Sequence, residues 1–494
     1  MKLKEISDLL VVKEVKGDMD IDITGIQMDS RKVEPGNLFV CVPGVVGFLE
    51  DRHQFAKSAV KNGASALILE HDVEVEVPKI FVKNARYAMA IASSHFFQYP
   101  SSQMKLIGIT GTNGKTTTSY LIEKILSDCD FKTGLMGNNG IKMNDKLLPT
   151  DINTQEPPIL QHNLRKMKDF DTEYCIMEVT SQGLDFGRVL GCQFRTAIFT
   201  NLTQDHLDYH GTFENYRDAK SLFFSRLGNT FSPTEKKYAI LNADDPTYEY
   251  FQKITPVEVI TYGINQSADV RANNIQISSK GIKFMLTSFI GHIDIELNLV
   301  GRFNVYNALA AITAALVEGI TLKEIKNSLA EIQAIPGRME IVQHKQDFLV
   351  LIDYAHTPDA LENVLSTLKE FAKGKILTVF GCGGDRDETK RPIMGKIASK
   401  YSDKIFITSD NPRSEEPLKI LEDIEKGLCE TDFTNYELVI NREEAIFRAI
   451  SMASINDIVL IAGKGHEKYQ ILKDQTVPFD DKEVALQALS KRSC

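Results

Sequence analysis

One stretch constrains this chain more than any other: Leu106-Ile107-Gly108-Ile109-Thr110-Gly111-Thr112-Asn113-Gly114-Lys115-Thr116-Thr117-Thr118. A short apolar run reads as a buried strand, and a glycine-punctuated turn follows it. Tyr120, Leu121, Ile122, Ile125 and Leu126 then recur at helical spacing. Strand, glycine loop and helix in that order make a phosphate cradle. Loop amides and the helix N-terminus face the anion, Lys115 adds a mobile positive charge, and the Thr116 hydroxyl suits Mg²⁺. Ile109 stands five residues before Gly114, so the commonest spacing, G-x4-G-K-[ST], fails and the shorter Gly111-to-Thr117 pattern remains. A tight strand-to-helix turn with an exposed lysine is the other reading.

A chain of 494 residues has room for about three domains. With 43% hydrophobic residues, each can have its own core. The net charge of -10 argues against a nucleic acid as the main partner. No apolar run of about 18 residues exists, so no membrane span is expected, and Met1-Lys2-Leu3-Lys4-Glu5 lacks the apolar core of a signal peptide. Seven cysteines without a C-x-x-C pair fit reduced thiols in the cytoplasm, not a zinc site or a disulfide frame.

The first domain is expected over residues 1–100. It has strand-like runs at 38–42 and 64–70 and an alanine-rich helix around 88–93. Asp29-Ser30-Arg31 fits a turn, and Tyr99-Pro100-Ser101-Ser102 reads as a linker. The second domain is expected over 101–335. Its strand-like run 174–178 ends in Glu178, which fits a magnesium contact or an acidic helix cap. The run 197–201 leads into Asp205, His206, Asp208 and His210, which fit metal ligands or a solvated loop. Lys220 lies on a helix-like stretch with Leu222, Phe223 and Phe224, and by pattern alone it reads as a surface lysine. Asn304 and Asn307 lie one turn apart on one helix face, where their carboxamides suit an adenine edge or a helix start.

Ile335-Pro336-Gly337-Arg338 reads as a second linker, with a third domain over 336–494. Strand-like runs at 348–352, 376–380, 405–408 and 458–462 each end in a polar turn. These turns are Asp353-Tyr354-Ala355-His356, Gly381-Cys382-Gly383-Gly384-Asp385-Arg386, Asp410-Asn411-Pro412-Arg413 and Gly463-Lys464-Gly465-His466-Glu467. A mostly parallel, doubly wound sheet is expected, with its ligand beyond the carboxyl ends of the strands. The four turns together suit a zwitterion.

These motifs together resemble the Mur ligase family over nearly the whole chain. The phosphate loop is also shared by folylpolyglutamate synthase, a second ligase reading. Asp410-Asn411-Pro412-Arg413 is more specific and resembles the family's diaminopimelate-recognition motif. The resemblance implies three α/β domains: a smaller N-terminal UDP-binding domain, a central P-loop-type ATPase domain and a C-terminal Rossmann-like domain. It implies a monomeric ATP- and Mg²⁺-dependent carbon–nitrogen ligase of peptidoglycan and cell-wall biosynthesis. Its substrates would be meso-diaminopimelate and UDP-N-acetylmuramoyl-L-alanyl-D-glutamate, joined through an acyl phosphate.

The resemblance also implies roles. Thr110, Gly111, Thr112, Asn113, Gly114, Lys115, Thr116 and Thr117 would cradle the ATP phosphates, and Asn304, Asn307, Arg338 and Asp353 would contact the nucleotide. Lys115, Glu178, His206 and Lys220 would form the catalytic group. Thr116, Glu178, His206 and Lys220 as a carbamate would serve the metal, which overturns the surface reading of Lys220. Ser30, Asn153, Thr154, Gln155, Thr180 and Arg188 match the UDP-sugar peptide site. Arg386, Asp410, Asn411, Pro412, Arg413, Gly463 and Glu467 match the diaminopimelate site. The departures from the family pattern gather at the acceptor: Arg52 within Asp51-Arg52-His53, Gln155, Gln182 and Phe186. A paralogous ligase acting on another carboxylate acceptor is therefore the alternative.

Overall fold

The apolar run ahead of the glycine loop forms the strand Lys105–Thr110, near the middle of an 11-stranded sheet in this computed structural model. Every residue is described except Asp145, Asp151, 229–235, 279–280, Gln333, Asp474 and 493–494. Lys105–Thr110 runs parallel to Tyr174–Glu178 on one side and Phe194–Phe199 on the other. Alternation along it divides two cores. Ile107 and Ile109 face the helices Lys115–Asp128 and Arg302–Val317, and Leu106 faces the opposite layer with Phe223 and Phe224. Gly108 is needed on that second face, because a Cβ there would strike the Phe223 ring. The sheet continues through Tyr238–Asn242 and Glu258–Gly263. It ends in an antiparallel meander, Val270–Ser278, Gly281–Ser288 and Gly291–Leu297, which the motif reading passes over.

The N-terminal sheet has five strands, ordered Lys13–Lys16, Lys79–Val82, Ala66–Leu69, Asn37–Val40, Gly25–Gln27, with only the first antiparallel. The C-terminal sheet has six: Glu340–Ile341, Leu349–Asp353, Ile458–Ala462, Ile376–Phe380, Lys404–Thr408 and Tyr436–Val439. All its pairings are parallel except the first. That order sets the four expected polar turns side by side on one edge. Glu340–Ile341 and Tyr436–Val439 are the two strands that the four-run reading omits, because their burial is only partial. Arg442 and Asp481, both fully buried, pair at 2.7 Å beneath the edge, and Arg442 also donates to the Ala462 carbonyl. Removing one partner would leave a buried charge uncompensated.

The expected linker at 99–102 is packed, not loose. Pro100–Gln103 forms a short 3-10 helix, Pro100 and Ser101 are buried, and Ser101 Oγ accepts from the Gln193 amide at 3.1 Å. Proline pre-sets the backbone there, and the hydroxyl gives a neighbouring amide its partner. The six described cysteines are free, and no described helix is long and apolar enough to cross a membrane.

Candidate active site

The glycine loop has its shape for steric reasons. Gly111 (φ +148°) leaves no room for a Cβ beside Thr200 Oγ1, and Gly114 (φ +86°) leaves none beside Asn307 Oδ1. The helix begins at Lys115, so its unpaired first-turn amides face the cavity. Lys115 Nζ folds back onto the carbonyls of Gly111 (2.8 Å) and Thr112 (2.7 Å). Thr112 Oγ1 meets Tyr216 OH at 3.1 Å, while the Thr110 hydroxyl is buried without a partner.

A cavity of about 900 Å³ opens over this loop. Thr112 to Thr117, Asn153, Glu178, Thr180, His206, Asn307, Arg338, Asp353 and Arg386 all line it. Sequence segments far apart thus meet at one place. Glu178 sits at the end of its strand, 1% exposed, accepting from Thr116 Oγ1 at 2.8 Å, the Asn138 amide at 3.1 Å and Asn153 Nδ2 at 2.9 Å. Lys220 is also 1% exposed and donates to the Gly111 carbonyl at 3.0 Å, so it is not the surface lysine its local pattern suggests. Burial, then the nearby Lys115 charge, depress its pKa well below that of an ordinary lysine. His206 holds a left-handed backbone (φ 54°), and burial lowers its pKa, leaving a neutral ring. Burial would raise the Asp205 carboxyl, but His206, His356 and Lys390 bring it below the usual value.

The C-terminal domain closes the cavity. Arg338 Nη2 donates to Thr116 Oγ1 at 3.0 Å, and its guanidinium lies 4.6 Å over the Tyr354 ring. Asp353 spends both oxygens on backbone amides, Met339 at 2.7 Å and Ala355 at 2.8 Å, and so fixes the turn that carries Arg338. Asp359, missed in the sequence, accepts from Asn113 Nδ2 at 2.6 Å and Thr203 Oγ1 at 3.2 Å. Asn304 lies behind the wall. It donates to the Val300 carbonyl and accepts from Asn307 Nδ2 at 3.0 Å, so it orients Asn307.

The remaining expected amino-acid residues cluster beyond Arg386. Arg413 (φ 52°) donates to the Gly384 carbonyl at 2.7 Å. A Cβ on Gly383 would meet Arg413 Nη1 at 2.9 Å and Arg386 Cγ at 3.8 Å, so the two arginines flank that glycine. Gly463 (φ +114°) packs so close to Asp410 that a Cβ would lie 2.6 Å from Oδ2. Asn411 Nδ2 donates to Glu467 Oε2 at 2.9 Å. Pro412, next in the chain, is buried.

Two family models match: the Mur ligase middle domain over residues 109–315 and the Mur ligase glutamate ligase domain over 337–465. The chain is 48% identical over 490 residues to the UDP-N-acetylmuramoyl-L-alanyl-D-glutamate–2,6-diaminopimelate ligase of Bacillus velezensis, covering 99% of each. It is 47% identical over 492 residues to the ligase of the same name from Halalkalibacterium halodurans, covering 100% of this chain and 99% of the relative. A solved structure of a ligase of that name superposes with a TM-score of 0.69 at 32% identity, covering 100% of this chain and 99% of the other. The chain belongs to the Mur ligase family.

The four positions expected to depart from the Mur ligase pattern sit in different surroundings. Gln155 does not reach the cavity: its amide donates to Thr150 Oγ1 at 3.1 Å and accepts from Asn163 at 2.9 Å. Phe186 is buried between two cations, with Arg86 4.5 Å and Arg188 5.1 Å from its ring. Arg188 is held by Glu156 at 2.8 Å and the Thr154 carbonyl at 3.2 Å. Thr154 Oγ1 in turn accepts from the Thr180 amide at 2.9 Å. Gln182 lines the cavity. Ser30 is buried in the first domain, on the turn Ser30–Lys32, and does not line this cavity. Arg52 lies against the Phe55 ring, 5.6 Å away.

Proposed function

We propose that this Mur ligase joins meso-diaminopimelate to the D-glutamyl γ-carboxylate of UDP-N-acetylmuramoyl-L-alanyl-D-glutamate, using ATP, in peptidoglycan biosynthesis. The observation that carries the reading is the meeting of the phosphate loop, Arg338 and Arg386 on one cavity. The domains divide near residues 100 and 335, so that UDP-sugar, nucleotide and amino acid each have a domain.

In this reading the γ-carboxylate attacks the γ-phosphorus of ATP, ADP departs, and an acyl phosphate forms. The diaminopimelate amine then attacks the acyl carbon and phosphate leaves. Most of the acceleration is positioning and charge neutralisation. The loop amides and Lys115 hold the β- and γ-phosphates, and Arg338 brings a second positive charge to Thr116. Asn307, oriented by Asn304, faces the nucleotide. Asn153, Thr180 and Arg188 seat the acceptor, with Thr154 behind them. Arg386 and Arg413 bind the diaminopimelate carboxylates, and Asp410 and Glu467 its ammonium end, with Asn411 holding Glu467 in place.

The donor set fits a divalent cation. Thr116 and Glu178 offer oxygen ligands, and Asn153 Oδ1 is buried without a partner on the same wall. Mg²⁺, held by Thr116, Glu178, His206 and carbamylated Lys220, would offset charge on the transferring phosphoryl group. Lys220 supports this role as a buried amine whose pKa burial and the nearby Lys115 charge depress.

The test is ATP-dependent phosphate release with UDP-N-acetylmuramoyl-L-alanyl-D-glutamate, comparing meso-diaminopimelate with L-lysine. Release with diaminopimelate alone is expected. Silence with both, in protein that binds ATP, would overturn the reading and turn attention to Gln182.

A further inference from the structure

Lys464 stands within the Gly463-to-Glu467 turn, between two glycines of positive φ, 114° and 55°. Its side chain is fully buried, and its ammonium faces inward rather than toward solvent. Nζ donates to Asn411 Oδ1 at 3.1 Å and to Glu467 Oε2 at 3.0 Å, and it lies 5.5 Å over the Tyr469 ring.

These bonds remove the freedom of both neighbours. Asn411 Oδ1 accepts from Lys464 and from the Ile471 amide at 3.0 Å, so only Nδ2 can face Glu467. Glu467 Oε2 accepts from both Lys464 and Asn411 Nδ2. Its other oxygen, Oε1, has only a 3.5 Å contact from Tyr354 OH. One carboxylate oxygen is thus saturated and the other is left open. A glutamate alone would sample several rotamers, and ordering it on binding would cost entropy.

We propose that Lys464 is a positioning residue for the amino-acid substrate. Its buried ammonium clamps Asn411 and Glu467 so that Glu467 Oε1 stays open to the incoming ammonium group. The inference rests on the functional reading above, in which Glu467 meets diaminopimelate. Lys464 itself is fully buried and bonds to Asn411 and Glu467, so it acts through them.

The experiment is steady-state kinetics of Lys464→Met with all three substrates varied in turn. The expected result is a diaminopimelate KM raised about tenfold or more, with the KM values for ATP and the UDP-linked acceptor within about twofold. Lys464→Arg, which keeps a cation, should recover part of the loss. An unchanged diaminopimelate KM would overturn the inference. So would a parallel rise in all three KM values, the signature of general structural damage. If Lys464→Met does not fold, Lys464→Gln carries the same test with the same outcomes. A wild-type enzyme that ignores diaminopimelate overturns the functional reading, and this inference with it. A responsive wild type with an indifferent variant overturns the inference alone.

Discussion

Lys115 and Lys220 donate to the same carbonyl. The oxygen of Gly111 lies 2.8 Å from one ammonium and 3.0 Å from the other. Two cations sharing one neutral acceptor in a buried site repel each other, and burial together with the Lys115 charge depresses the pKa of Lys220 well below that of an ordinary lysine. A neutral amine can add to CO₂, and loss of a proton then leaves a carbamate. That exchange turns the repulsion into an attraction to Lys115. Lys220→Ala should therefore lose at least about a hundredfold in kcat. Partial recovery with added formate or acetate would support the carbamate, and full activity of the unsupplemented variant would rule it out.

Arg413, at the proposed amino-acid site, has a left-handed backbone and spends Nη1 on the Gly384 carbonyl, which leaves the rest of its fork for the proposed ligand. Lysine has no distal carboxylate to pair with it. Arg413→Ala should lower kcat/KM for diaminopimelate by roughly 10²-fold, with ATP affinity nearly unchanged. Unaltered diaminopimelate kinetics would reject the pairing.

Asp359 lies in the first turn of the helix Pro358–Phe371 and grips the phosphate loop through Asn113. Opening the two domains must break this bond and the Arg338–Thr116 bond together. Asp359→Ala should cost about tenfold or more in kcat/KM for ATP. Nucleotide binding and turnover equal to wild type would show that the contact carries no load.

Three histidines make stability depend on pH. Burial pushes His210, His356 and His466 each down to about 4. In the unfolded chain such rings titrate near ~6.5. Between these values the unfolded state binds more protons, so stability rises with pH and is lost as pH falls from about 6.5 toward 4. Calorimetry should show Tm dropping across that interval, with proton uptake on unfolding near pH 5. A flat Tm from pH 7.5 to 5 would contradict the buried neutral rings.

The phosphate loop was legible because everything that makes it is local. Strand, glycines and helix lie within one short stretch, and their sterics demand those residue types. The four central strands of the C-terminal sheet were legible for the same reason: each is a largely apolar run that ends at a polar turn. Glu340–Ile341 and Tyr436–Val439 escaped because half-buried residues carry no such signal, and the packed segment after Tyr99 escaped because serine and proline spell a linker locally.

What determined the site lies at longer range. Lys220 meets Gly111 across 109 residues, Arg338 meets Thr116 across 222, and Asn113 meets Asp359 across 246. The sequence by itself specified the phosphate loop, the parallel sheets and the motif residues, because backbone sterics and apolar periodicity act between near neighbours. Only the tertiary structure decided which polar groups share a buried space. It sank Lys220 and Lys464, turned Gln155 inward and set Asp359 on the loop, because burial and electrostatic partnership depend on what the rest of the fold brings alongside.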